Sequence, residues 1–134
     1  MSKMPRPIPI EMWGKDHWST FAYIETRCVD HRGIPELSKM RCDNDVHPHL
    51  RDNRIPSIMA DKKYPTRLKH GQTVEDHDDW SCAEDMEDYG LLVNDGTGVH
   101  PIFIMTERGK ELAGQLRSHK MDGGNFASFE PKGI

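Results

Sequence analysis

Four residues in the first half of the chain have the types and spacing of a metal site. They are Cys28, His31, Cys42 and His47, in the pattern Cys-x2-His-x10-Cys-x4-His. Two ligands separated by two residues point into one site when a tight turn lies between them, and Gly33 would let the backbone complete such a turn. A second pair about ten residues later can return across a short hairpin and complete a tetrahedron. Two thiolates with two imidazoles suit zinc, which accepts mixed sulfur and nitrogen ligands and has no redox chemistry. His49 is the substitute for His47. A closed set of four ligands predicts a structural ion that folds a loop-rich region around itself. The competing reading makes the cysteines small buried hydrophobes and the histidines surface residues. With eight His in the chain, some coincidence of spacing is expected.

The stretch HPHLRD also offers His47, His49 and Asp52, a His-x-His with a nearby carboxylate. Joined by His70 or by His77, Asp78 and Asp79, it would have the donors of a hydrolytic metal site. The large metallo-hydrolase folds that use His-x-His need more chain than this. Ser19 and Ser81 lack a nucleophile elbow, and no catalytic triad emerges. The Gly96–Gly98 stretch lacks the strand-before, helix-after setting of a phosphate loop and reads as a turn. Cys82 has no basic neighbour to activate it and is expected to be a buried thiol. A run of carboxylates, Glu75, Asp76, Asp78, Asp79, Glu84, Asp85, Glu87 and Asp88, has no Lys or Arg between its members. It is either a solvated face that favourably meets a helix N-terminus, or a surface that docks on a basic partner. Glu84, Asp85, Glu87 and Asp88 are the candidates for that contact.

The elements that must position these groups follow from pattern. Pro5, Pro7 and Pro9 exclude helix and favour an extended arm. The segment WSTFAYIETRC, Trp18 to Cys28, is rich in β-branched and aromatic residues and predicts a strand. CVDHRG then turns, and IPELSKMRC returns as a second strand or a short helical turn. Asp43 to Ala60 reads as loop. Asp78 or Asp79 caps a helix running to about Tyr89, with Cys82, Ala83, Met86 and Tyr89 as its apolar stripe and Gly90 as its stop. Leu91–Val93 and Val99–Met105 form a hairpin. Thr106 caps a further helix through roughly Lys120, with Leu112, Ala113 and Leu116 facing inward. Residues 121–134 read as a flexible tail that Phe126 and Phe129 could dock.

The segment DMEDYGLLVNDGTGVHPIFIMTERGKELAGQLR, Asp85 to Arg117, resembles the closing half of a winged helix-turn-helix domain. The parts that carry this are the Gly90–Leu91 step, the hairpin from Leu91 to Met105 as the wing, and Thr106–Gly109 opening the next helix. The resemblance implies a DNA-reading helix ahead of the wing. Here that helix is acidic, and phosphate contact requires cations. Contact with a protein is therefore expected in its place.

At 134 residues, 35% hydrophobic and 30% charged, the chain suits one domain with a lean core, to which a metal or partner could add stability. No apolar run reaches a membrane span, no signal peptide is evident, and a cytoplasmic address is expected. Three cysteines, an odd number, leave thiols rather than a disulfide framework. Residues 1–70 hold 13 Lys/Arg against 9 Asp/Glu, whereas 71–134 hold 5 against 13. The expectation is an α+β protein with a zinc-stabilised, β-rich region over 1–60, a winged-helix-like region over 61–120 and the tail. Its expected function is that of a small, non-enzymatic interaction or regulatory module contacting another protein. The alternatives are the metal-dependent hydrolase, and a nucleic-acid binder using Arg27, Arg32, Arg41, Arg51 and Arg54.

Overall fold

The structure, a computed structural model, describes residues 8–35, 66–74, 79–96 and 101–132. Three helices, α1 (Lys15–Asp30), α2 (Asp79–Asp88) and α3 (Glu107–Met121), pack with two antiparallel ribbons. One ribbon pairs β1 (Thr66–Arg67) with β2 (Thr73–Val74), and the other pairs β3 (Leu92–Asn94) with β4 (Phe103–Met105). Helices beside small antiparallel ribbons make this an α+β protein.

Trp18–Cys28, expected as a strand, lies inside α1. The buried residues His17, Trp18, Thr20, Phe21 and Ile24, followed by half-buried Cys28, recur at three- and four-residue steps. That spacing covers one face of a helix. Burial of the stripe outweighs the β preference of Thr20, Tyr23, Ile24 and Thr26, because β propensity is mostly a matter of packing context. The described part of 1–60 is thus helical, with its β pairing confined to the bridge between Trp13 and Leu68.

The core is built around tryptophans. Trp13, Trp18 and Trp80 are all buried, and the first two contact each other with ring centroids 5.0 Å apart. Each indole N–H of that pair finds a carbonyl: Trp13 Nε1 donates to Ile8 O at 2.9 Å, and Trp18 Nε1 to Trp13 O at 3.2 Å. Satisfied donors let these large rings bury without a desolvation penalty. The Ile8–Trp13 segment is further held by Ile10 N donating to the Tyr89 hydroxyl. Trp80 packs towards Phe103 of β4.

The second half follows its pattern more closely. Gly90, at φ +75°, ends α2 as the expected C-terminal glycine. The Thr106 side chain accepts from Gly109 N at 3.0 Å, capping α3, and its hydroxyl donates to Gly90 O at 2.6 Å. One threonine therefore starts α3 and ties it to the end of α2. Leu112, Ala113 and Leu116 face the core as expected. Residues beyond α3 fold back on the protein. Asn125 and Ser128 form a reciprocal cap on a short 3-10 turn, and Phe129 inserts edge-on against Trp18 at 4.7 Å, with 2% of its surface left to solvent. The stretch expected as a loose tail is docked through Phe129, one of the two residues capable of it.

A candidate interaction cleft

The C-terminal end of α1, strand β4 and helix α3 enclose an open cleft of about 810 Å³. Strand β4 gives the cleft its floor, through Phe103, Ile104 and Met105. In β3 and β4, Leu92, Phe103 and Met105 turn inward and are buried, and the cross-strand pair Val93 and Ile104 turns outward, each 50% exposed. A ribbon with one face in water normally presents polar side chains there. Here the outward positions are aliphatic, and Ile102, just before β4, is a further exposed aliphatic residue. Across the cleft, Val29 at the end of α1 is 75% exposed.

The turn after α1 positions this floor. Gly33, at φ +82°, lies so close to β4 that a Cβ would stand 2.0 Å from Phe103 O. Its carbonyl accepts from Phe103 N at 2.8 Å, which pins the turn to the outer edge of the strand. Glycine is the residue that allows both the conformation and the approach. Of the turn expected over CVDHRG, Cys28–Asp30 continue α1 and the chain turns at His31–Gly33, where the turn serves strand docking.

Cys28 lies on the same strand edge. Its Sγ–H donates to Phe103 O at 3.2 Å. Burial pushes this thiol up, and the Met105 backbone works the other way. A thiol donating its proton to a carbonyl in half-buried surroundings is a poor nucleophile. His31 caps the end of α1 and is exposed. Cys42, His47, His49 and Asp52 lie outside the described residues, as do His77, Asp78, Arg41, Arg51 and Arg54. His70 is exposed, at φ +61° in the turn between β1 and β2. Among the described residues no group of three or more His, Cys, Asp or Glu is placed to hold a metal ion. Of the arginines proposed for nucleic acid, Arg27 donates from Nε to Ile34 O, and Arg32 lines the cleft.

The acidic helix differs most from expectation. Glu84 and Asp85 are 6% and 2% exposed, so they cannot form a docking face for a partner. Glu87 is half-buried, and Asp88 is the exposed member of the four. Asp85 faces inward to His17, with Nε2 and Oδ2 2.8 Å apart, and its other oxygen accepts from Ile8 N at 3.4 Å. His17 in turn stacks on Trp13 at 4.7 Å. On α1, buried Asp16 receives three hydrogen bonds from Arg67, two of them from the guanidinium. Carboxylates this deep require such partners. Cys82, on the same helix, is fully buried and pushed well up, first by burial and then by the charges of Asp79 and Asp85. It is the inert buried thiol that its place on the stripe implies.

Spacing alone did not mark the cleft. Its one legible trace is the aliphatic run of Ile102 and Ile104 beside Val93 in a short hairpin, where alternation calls for polar residues. Compared with models of known protein families, with curated proteins and with solved structures, the chain matches none.

Proposed function

We propose that this protein is a small, non-enzymatic interaction module that receives a segment of a partner protein in the cleft between α1, β4 and α3. The observation that carries the reading is Ile104, half exposed in the lining of the cleft, with its cross-strand partner Val93 half exposed beside it. Scattered exposed aliphatics need no explanation, whereas a clustered set rimmed by charge marks an interaction surface. In the sense of the winged-helix resemblance, the hairpin acts as a wing turned to protein contact, and the buried carboxylates of α2 serve the core.

The test compares the native protein with Val93→Ser/Ile104→Ser as bait in quantitative affinity capture. Both positions are exposed, so the double variant should keep its thermal midpoint within a few degrees, as about 1 kcal/mol or less implies. The reading expects at least one protein retained by the native bait and lost by the variant. Identical capture profiles would sink it.

A further inference from the structure

We infer that the segment this cleft receives is an acidic peptide with aliphatic anchors, an inference that rests on the interaction reading above. The argument is one of charge against composition. Residues 71–134 hold only five Lys and Arg beside 13 Asp and Glu. Two of those five, Lys110 and Arg117, line this one cleft. They stand seven residues apart on α3, about two turns, and so share a helix face. Arg32 joins them from the turn after α1, giving three cations around an aliphatic floor.

The lining holds these three cations against two anions, Glu25 and Asp30. Glu25 is engaged by Arg117 and is largely covered, at 18% exposure, while Arg117 keeps 60% of its side chain in water. Lys110 lies 3.8 Å from Glu107 with both side chains exposed, a pairing too screened to hold it. Asp30 remains as the exposed carboxylate of the lining. An acidic chain in solution would be attracted to these cations, which selects the sign of the ligand. The apolar floor then supplies the anchor positions.

The experiment selects short random peptides displayed on phage against the full chain, then titrates synthetic peptides of the enriched sequence by fluorescence anisotropy. Enriched peptides should be net negative with Ile, Leu or Val anchors. Their affinity should fall about tenfold or more as salt rises, because the attraction is screened. Arg32→Glu/Lys110→Glu should weaken binding by a similar factor. Ile104→Ser should weaken it about tenfold without altering the salt dependence. Neutral or basic enriched peptides, or acidic ones indifferent to Arg32→Glu/Lys110→Glu, would overturn the acidic chemistry, and the interaction reading would stand if Ile104→Ser still weakened binding. Enriched peptides indifferent to Ile104→Ser, or no enrichment, would overturn both. Concentration-dependent dimers lost in Ile104→Ser would assign the cleft to a second copy and overturn the peptide proposal.

Discussion

Cys28 and Cys82 both sit where folding disfavours the thiolate, one half-buried against β4 and the other enclosed in α2. For such a group the folded pKa lies above the unfolded one. Its contribution to stability is therefore complete below the ordinary thiol value of about 8.5, and is lost as pH rises through the folded value. Cys82, buried beside Asp79 and Asp85, should dominate this effect. We expect Cys82→Ala to cost about 1 kcal/mol at neutral pH through lost packing. Its urea midpoint should then fall less than that of the native protein between pH 7 and pH 10. Equal falls would assign the alkaline loss to other groups. The inert character of Cys82 was legible in the sequence, since an apolar stripe without basic neighbours implies a protonated thiol. The setting of Cys28 was not. Its partner, the carbonyl of Phe103, lies 75 residues away, and no local pattern announces such a pairing.

At the scale of the element, α2 and α1 show where pattern reading holds and where it stops. The boundaries of α2 and α3 were legible because caps and glycine stops act within a turn of the residue concerned. The fate of α2's charge was not, because it depends on what packs against the helix. His17 reaches Asp85 across 68 residues, and Arg67 reaches Asp16 across 51. A charge run carries no signature separating a solvated face from a set of carboxylates whose partners come from elsewhere in the chain. In α1, the helical step between buried residues was present in the letters, but β-branched composition pointed the other way. The inward carboxylates give a direct check. Asp85→Ala removes one partner of a buried pair and strands the other, so it should cost about 3 kcal/mol or more. Asp88→Ala, three residues beyond Asp85 on the same helix, changes an exposed group and should stay within about 0.5 kcal/mol. Similar losses at the two positions, measured by chemical denaturation, would return α2 to the role of a solvated acidic face.

At the scale of the whole molecule, the segment after α3 acts as a strap that closes the core from outside. Phe129 fills the space against Trp18, and the His119 ring lies 5.4 Å from it. His119 Nε2 stands 2.9 Å from the Ser128 hydroxyl, inside the Asn125–Ser128 cap. This Ser–His pair shapes a turn, and its hydroxyl is already committed to Asn125. Further along, the Gln115 side chain pairs with both backbone groups of Lys132, as a neighbouring strand would. Near the same end of the strap, Glu130 comes within 3.4 Å of Lys69 in the turn between β1 and β2. In a chain with so few apolar residues, this closure adds core that the helices alone do not supply. Phe129→Ala should therefore cost about 3 kcal/mol, the usual scale for deleting a buried aromatic ring. Truncation after Met121 should cost at least as much, since it removes the caps and the Gln115 pairing as well. Ala127, exposed on the same turn, supplies the contrast: Ala127→Ser should leave the denaturation midpoint within about 0.5 kcal/mol of the native protein. A truncated chain as stable as the full one would mean that the strap rests on the surface and that Trp18 is covered without it.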